Sequence, residues 1–134
     1  MCPANAPAML KHTLLFLSLL TAACAEIARL TPAEAARLVA DGQAVLVDVR
    51  EPAEWAESGV AAPARLLPKS DFDGERKLWR DFLASVGDKQ VIVYCRSGRR
   101  SGAVAAQLAA AGVPVANAGA FADWAAAGLP VRRP

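Results

Sequence analysis

The sequence predicts an α/β fold whose mainly parallel central sheet is covered by helices on both faces. Residues 44–49, apolar except for Asp48, and residues 91–94 have the pattern of strands that are buried on both faces. Segments of helical periodicity lie before and after these runs, and strands that alternate with helices imply right-handed crossovers and parallel pairing. The chain of 134 residues is long enough for one such domain with an adequate core.

The chain divides into a predicted signal peptide at residues 1–25 and a folded domain at residues 26–134. An apolar run at residues 14–20 follows Lys11 and precedes small residues of the kind that signal peptidase cuts after. The run is too short to span a membrane as a stable helix. We therefore expect export to the periplasm and removal of the leader.

The leader leaves its start and its processing open. Either Met1 or Met9 fits as the first residue, and Met9 opens the more typical leader. Cleavage before Glu26 releases a soluble protein, which is the outcome we favour. Residues 20–24 also resemble a bacterial lipobox, in which Cys24 is acylated and holds the protein at the membrane.

The first half of the domain predicts a capped helix followed by a buried strand and a second, shorter helix. Thr31 fits an N-cap, with Pro32 in the first turn and Glu34 three residues after the cap, so a helix is expected to run to Gly42. The other elements expected here are a strand at residues 44–49, a helix at residues 52–58 closed by Gly59, and a short strand at residues 65–67.

The second half predicts further strands and helices in alternation. Leu78, Trp79 and Phe82 are apolar at helical spacing, which indicates an amphipathic helix over residues 74–86. The remaining elements expected are a strand at residues 91–94, a helix at residues 101–111, a last strand at residues 113–116 and a last helix at residues 119–127. Arg132 and Arg133 are expected to form a solvated tail.

Cys95 lies where a buried strand is predicted to end and the loop before a helix begins. The loop residues that follow it are Arg96, Ser97, Gly98, Arg99 and Arg100, with Ser101 at the helix start. A helix N-terminus presents unpaired backbone N–H groups and partial positive charge, which favour an anion such as a thiolate. Ligands of parallel sheets bind beyond the carboxyl ends of strands. We therefore identify Cys95 as the candidate reactive group.

The rest of the composition limits what this cysteine can do. After removal of the leader Cys95 is the only cysteine, and the single histidine, His12, lies in the leader. These absences exclude a Cys–His nucleophile pair and make a metal site improbable. The net charge is only +2, and Lys11 is the one charged residue of the leader, so neither nucleic acid nor a charged membrane surface is an expected partner.

The number of loop residues separates two kinds of cysteine chemistry. Cysteine phosphatases and arsenate reductases place five residues between the cysteine and an arginine that closes over a tetrahedral anion. Here the sixth position after Cys95 is Ser101, and the arginine comes one residue early, at Arg100. A shorter loop forms a narrower bowl, which suits a lone sulfur atom better than a phosphate.

Motifs along the whole domain give a resemblance to the single-domain rhodaneses, and in particular to the small periplasmic sulfurtransferases of bacteria. The matching segments are residues 46–55, residues 59–68, the strand, loop and helix start at residues 91–101, and the closing segment at residues 117–131. The resemblance implies a rhodanese-like three-layer sandwich. Val60, where the family usually has histidine, and Ala62 and Pro63 after it depart from the pattern, which puts the local turn in doubt.

The resemblance also implies a reaction and roles for site residues. Thiosulfate or another small anionic sulfur donor would transfer its outer sulfur to Cys95, and a thiol or cyanide acceptor would remove it, with no cofactor. The backbone of residues 96–101 would cradle the persulfide, Arg96 and Arg99 would attract the donor, and Arg100 would be structural as much as catalytic.

Asp48 and Arg50 are assigned a supporting role in the scaffold. Arg50 and Glu54 stand four residues apart at a helix start, where an ion pair is expected. Two other functions stay open at this point. One is a non-catalytic rhodanese-like binding module, and the other is a cysteine-dependent phosphatase or arsenate reductase on the same scaffold.

Overall fold

A computed structural model describes residues 26–134, which form a parallel sheet flanked by helices. The predicted leader and Cys24 lie outside the described residues. The elements in chain order are β1 (Ala28–Arg29), α1 (Pro32–Ala40), β2 (Ala44–Asp48), α2 (Pro52–Ser58), β3 (Val60–Ala61), β4 (Arg65–Leu66), α3 (Lys69–Asp73), α4 (Lys77–Ser85), β5 (Gln90–Cys95), α5 (Arg99–Ala110), β6 (Val115–Ala120), α6 (Phe121–Ala126) and β7 (Val131–Arg132). Within this part of the chain no helix combines the length and apolar character needed to cross a membrane.

The main sheet has five parallel strands in the order β1-β6-β5-β2-β4, so β5, which ends at Cys95, is central. A separate antiparallel pair joins β3 to β7. The register between β5 and β6 shifts once, because Val93 pairs with Asn117 whereas Tyr94 pairs with Gly119. The intervening Ala118 is the extra residue of a β-bulge. The predicted parallel α/β sheet is confirmed.

Alternate residues of the central strands supply two separate cores, one on each face of the sheet. Val47 and Val93 belong to the core that contains Phe72 and Trp79 of α3 and α4, together with residues of α5. Their strand neighbours Leu46 and Ile92 belong to the core that includes Ala35 of α1 and Trp124 of α6. Successive side chains of a strand point to opposite faces, so the sheet carries helices on both sides as predicted.

The helix starts predicted from local sequence are confirmed in the first half. The Thr31 side chain accepts the Glu34 N–H at 3.2 Å, and the Glu34 carboxylate accepts the Thr31 N–H at 2.9 Å. This reciprocal capping box satisfies two donors that the helix cannot satisfy itself. α2 spans the predicted residues, and Gly59 ends it with φ 76°.

The helix predicted for residues 74–86 is present as α4, which begins three residues later than predicted, at Lys77. The helix before it, α3, was not predicted. Gly74 ends α3, and Arg76 adopts φ 57° before α4 begins at Lys77. The Asp71 carboxylate accepts the backbone N–H groups of Lys77 at 3.1 Å and Trp79 at 3.0 Å. The cap of α4 is therefore a carboxylate of the preceding helix, because the residue directly before α4 makes no side-chain capping bond.

The predicted end of the domain also needs correction. The strand placed at residues 113–116 is β6, which begins at Val115 and continues to Ala120, and α6 therefore starts at Phe121 rather than at residue 119. The last strand is β7. Arg132 and Arg133 are exposed, as predicted, but Arg132 lies in β7 rather than in a free tail. Arg132 donates from Nε to the Ala62 carbonyl and from Nη2 to the Ala64 carbonyl, each at 2.9 Å.

Candidate functional site

The Cys95 sulfur lies beneath its loop and accepts several hydrogen bonds from it. The Gly98 N–H donates to Sγ at 3.0 Å, and the backbone N–H and hydroxyl of Ser101 each lie 3.4 Å from it. Cys95 has no exposed surface, so a reagent reaches the sulfur only when the residues around it move. The sulfur is thus buried, but it faces the amides expected from the sequence.

Burial and hydrogen bonding act in opposite directions on the Cys95 thiol. Burial raises the pKa because it removes water from the thiolate, and this is the largest single influence. The Ser101 hydroxyl and the N–H groups of Ser101, Ser97 and Gly98 lower it, and together they hold the pKa of Cys95 below its ordinary value. The site therefore favours the nucleophilic form of the cysteine.

Gly98 gives the loop its shape. Its φ of 91° lies in the region that glycine adopts readily, and a Cβ at this position would lie 3.2 Å from the Gly119 Cα. The loop is thus packed against the end of β6. This close approach aims the Gly98 N–H at the sulfur.

Asn117 of β6 is a site residue that sequence reasoning missed. It is 6% exposed, donates from Nδ2 to the Gly98 carbonyl at 3.1 Å, and accepts the Ser101 hydroxyl at Oδ1 at 2.8 Å. The Gly119 N–H also donates to Oδ1, at 2.9 Å. From the sequence, Asn117 was noted only as part of the closing family motif. A polar side chain inside a buried apolar strand nevertheless indicates a hydrogen-bonding role in a site.

The three loop arginines have different surroundings. Arg100 donates from Nη1 and Nη2 to the two carboxylate oxygens of Glu54, both at 2.7 Å, and this pair lowers the pKa of Glu54 to about 2. Arg96 and Arg99 are exposed, and in residues 26–134 neither forms an ion pair. Arg100 therefore joins α2 to α5, which agrees with its expected structural role.

Asp48 and Arg50 form a buried ion pair at the end of β2. Arg50 Nη2 lies 2.8 Å from the Asp48 carboxylate and 2.8 Å from the Gly59 carbonyl, while Nη1 donates to Ser58 Oγ at 2.7 Å. The predicted ion pair between Arg50 and Glu54 is wrong, because each of these residues is paired elsewhere. Arg50 instead fixes the end of α2 against the sheet.

A cleft of about 210 Å³ lies beside the cysteine loop and shares Arg96 with it. The Arg50 guanidinium lies 4.3 Å from the centroid of the Phe121 ring, which forms part of the cleft wall. The lining residues are Arg50, Glu54, Glu57, Ser58, Arg96, Phe121 and Ala122. The described residues contain no group of three or more Cys, His, Asp or Glu side chains arranged to hold a metal.

Several solved structures resemble this one. A protein of unknown function from Rhodopseudomonas palustris, described as a possible tyrosine phosphatase, is 28% identical over 79% of this chain and 85% of its own, with a TM-score of 0.67. A rhodanese-related protein from Thermoplasma volcanium is 25% identical over 80% of this chain and 99% of its own, with a TM-score of 0.66. A rhodanese-like domain protein from Staphylococcus aureus is 25% identical over 79% and 99%, with a TM-score of 0.60.

The family follows from sequence and structure together. No curated protein matches the chain. The family model of the rhodanese-like domain matches residues 31–127, which is most of the chain and includes Cys95, its loop and the strand that carries Asn117. Since this match covers well over half of the sequence and the fold agrees with rhodanese-related structures, the chain belongs to the rhodanese-like domain family.

Proposed function

We propose that this protein is a sulfurtransferase that carries a sulfane sulfur on Cys95 as a persulfide. The observation that carries the proposal is the Cys95 sulfur with the Gly98 N–H at 3.0 Å and two Ser101 donors at 3.4 Å. Preorganised donors of this kind stabilise negative charge on sulfur in a site from which water is excluded. Both the thiolate and the terminal sulfur of a persulfide carry such charge.

The proposed reaction consists of two displacements. In the first, the Cys95 thiolate attacks the outer sulfur of thiosulfate, an S–S bond forms to Cys95, and the sulfur–sulfur bond of thiosulfate breaks to release sulfite. In the second, a thiolate or cyanide attacks the terminal persulfide sulfur, and Cys95 leaves as the thiolate. No electrons enter or leave from outside, so the reaction needs no cofactor.

The surroundings of the loop favour a small anionic donor. Arg96 and Arg99 are exposed, and their charges are not neutralised by ion pairs within the described residues. Arg96 also borders the cleft beside the loop. Both guanidinium groups are therefore available to attract thiosulfate or a similar anion.

We place this reaction in the periplasm, with residues 1–25 as the export signal and a soluble protein as the product. Attachment to the membrane through an acylated Cys24 is the alternative outcome of the same leader. The intact mass of the protein isolated from its native envelope decides both points. A mature chain that begins at Glu26 supports the soluble form, and a lipid-modified Cys24 supports the anchored form.

The test of the proposed function is incubation of the purified full chain with thiosulfate, followed by mass spectrometry and a cyanide transfer assay. We expect the Cys95 peptide to gain the mass of one sulfur atom, and we expect Cys95→Ala to abolish transfer to cyanide. The matched control is the Cys2→Ser/Cys24→Ser variant, which keeps Cys95 as its only thiol. We expect its transfer of sulfur to cyanide to be unchanged. Persistent failure of wild-type Cys95 to take sulfur from several sulfane donors would leave a non-catalytic binding module as the better description.

A phosphatase is the second candidate, because the Rhodopseudomonas palustris neighbour is described as a possible tyrosine phosphatase. Two observations oppose it. The loop has one residue fewer than the phosphatase loop, and its closing arginine, Arg100, is held by Glu54 at 2.7 Å. Hydrolysis of an aryl phosphate that is lost in Cys95→Ser would favour the phosphatase. Arsenate-dependent oxidation of an added dithiol, lost in the same variant, would favour a reductase.

A further inference from the structure

Ser101 has one hydroxyl hydrogen and two acceptors within reach. Its Oγ lies 2.8 Å from Asn117 Oδ1 and 3.4 Å from the Cys95 sulfur. Both are ordinary separations for a hydrogen bond, the longer one because sulfur is the larger atom. A hydroxyl donates its hydrogen to one acceptor at a time, so the two acceptors compete.

The backbone fixes which end of the Asn117 amide faces Ser101. Nδ2 donates to the Gly98 carbonyl at 3.1 Å, and Oδ1 accepts the Gly119 N–H at 2.9 Å. A reversed amide would point its NH₂ at the Gly119 donor and its oxygen at the Gly98 carbonyl, which breaks both hydrogen bonds. Oδ1 therefore faces Ser101, and it can only accept.

We propose that Asn117 is a positioning residue that competes with Cys95 for the Ser101 hydroxyl hydrogen and so controls how strongly this hydroxyl stabilises the thiolate. With a protonated thiol, the hydroxyl donates to Asn117, and its oxygen is free to accept the S–H. With a thiolate, the hydroxyl turns to the sulfur. Asn117 Oδ1 then keeps the Gly119 N–H as its partner, so no buried acceptor is left unsatisfied.

The proton balance of this change is simple. On ionisation the S–H bond breaks, its proton leaves to solvent and the electron pair stays on Cys95. The Ser101 O–H bond does not break, and only its direction changes. The inference concerns thiol ionisation and does not depend on which sulfur donor or acceptor the protein uses.

Other charged groups near the sulfur also influence the ionisation of Cys95. They are the same in every variant, because only residues 101 and 117 are changed. Arg100 is paired with Glu54 from α2, and Nη2 of Arg29 in β1 lies 3.7 Å from the position that a Cβ on Gly98 would occupy. Arg96 and Arg99 are the other charged residues of the loop, and the Asp48–Arg50 pair lies at the end of β2, the strand next to β5. Their contributions cancel when the same Ser101 substitution is compared in different residue-117 backgrounds.

The experiment measures the effect of Ser101→Ala on the Cys95 ionisation constant in three backgrounds. Alkylation by iodoacetamide from pH 5 to 10, followed peptide by peptide with mass spectrometry, reports Cys95 separately from Cys2 and Cys24. With Asn117 present we expect Ser101→Ala to weaken ionisation by about threefold, because the hydroxyl is shared. With Asn117→Ala or Asn117→Val the competitor is gone, and the same substitution should weaken ionisation by about tenfold.

The backgrounds also separate the two roles of Asn117. In each background that lacks the Asn117 amide, the Gly98 carbonyl loses its hydrogen bond and the loop loosens. This loosening affects the protein with Ser101 and the Ser101→Ala protein alike, so it does not contribute to the difference between backgrounds. An equal effect of Ser101→Ala with and without the Asn117 amide would overturn the proposal. Circular dichroism identifies a variant that does not fold, and the valine background, which suits a strand, then replaces the alanine one.

The single variant Ser101→Ala is a further test that needs no substitution at residue 117. A hydrogen bond donated to the thiolate without competition contributes about tenfold to ionisation. A loss of that size in Ser101→Ala, with Asn117 in place, would mean that the sulfur holds the hydroxyl alone. That result would also overturn the competition, whereas a loss of a few fold agrees with it.

Discussion

At Cys95, burial in the core and hydrogen bonding from the loop act on the same thiol. The side chain belongs to the core that contains Val93 and Val104, where an unassisted thiolate would be disfavoured. The Ser101 hydroxyl and the N–H groups of Ser101, Ser97 and Gly98 reverse this, and the pKa of the thiol falls below its ordinary value. The reactivity of Cys95 therefore depends on the backbone path of the loop more than on any basic side chain.

The first prediction concerns Gly98, which directs the closest amide to the sulfur. In Gly98→Ala the new Cβ meets the Gly119 backbone, and the positive φ adds strain of about 1–2 kcal/mol. We expect the Gly98 N–H to move away from Sγ and alkylation of Cys95 at neutral pH to slow by about tenfold. The measurement is the iodoacetamide rate together with the urea midpoint of unfolding.

Gly112→Ala is the matched control for this substitution. Gly112 also has a positive φ, of 82°, but a Cβ there has no atom within 4 Å. It should cost similar backbone strain and leave the alkylation rate of Cys95 unchanged. Equal alkylation rates in the two variants would show that the approach of Gly98 to Gly119 does not orient the amide.

Sequence reasoning identified Cys95 and its loop because their chemistry is local, whereas Asn117 depends on pairing across the sheet. Asn117 reaches Ser101 from the neighbouring strand, next to the bulge at Ala118. A local pattern does not reveal a register shift between strands. The wrong partner for Arg50 has a different cause. The helical spacing of four residues favoured Glu54, whereas Arg50 binds Asp48, two residues before it at the end of β2.

At the scale of elements, the ion pair between Glu54 and Arg100 joins α2 to α5. Its two hydrogen bonds of 2.7 Å are the direct connection between the helix after β2 and the helix that carries the cysteine loop. The pair lowers the pKa of Glu54 from 4.5 to about 2. The stability of this connection therefore depends on pH in acid.

The second prediction is the pH range over which this ion pair contributes. The folded pKa of Glu54 is depressed, so its contribution is complete above about pH 4.5 and is lost as the pH falls toward 2. After allowance for solvent screening we expect a contribution of about 1–2 kcal/mol to the free energy of unfolding. Glu54→Gln should flatten the fall of stability between these pH values, as measured by urea unfolding at each pH.

Glu57→Gln provides the control, because it removes the same charge from the same helix. Within the described residues Glu57 forms no ion pair. A difference of about 1–2 kcal/mol between the two variants is expected at pH 5 and should vanish near pH 2. Parallel stability curves for both variants would contradict a specific role of the Arg100 pair.

The element boundaries that were predicted correctly are set by residues within one turn of the boundary. The boundaries and elements that were missed depend on residues further along the chain. The capping box of Thr31 and Glu34 starts α1 from within one turn. By contrast, the start of α4 was predicted three residues too early, because it is set by the Asp71 carboxylate, which accepts N–H groups six and eight residues later, across the break at Gly74. The pairs of residues in β1 and β7 become strands only through their partners, since two residues carry no periodicity.

For the whole molecule, the two cores share one sheet, and this couples the faces. β5 contributes Ile92 to the core with α1 and α6, and it contributes Val93 to the core with α3, α4 and α5. Loss of packing on one face therefore disturbs the strand that the other face packs against. Small domains with this arrangement unfold as a single cooperative unit.

The third prediction tests this coupling with a substitution on one face and a probe on the other. Ile92→Ala empties space in the core that contains Trp124, and it should lower the free energy of unfolding by about 3 kcal/mol. The chain has three tryptophans, so Trp55→Phe/Trp124→Phe leaves Trp79, in the opposite core, as the only tryptophan. We expect the urea midpoint reported by Trp79 to fall as much as that reported by Trp124 in the reciprocal variant, because neither core can persist without β5. A Trp79 midpoint that stays in place while the Trp124 midpoint falls would mean that the two faces unfold independently.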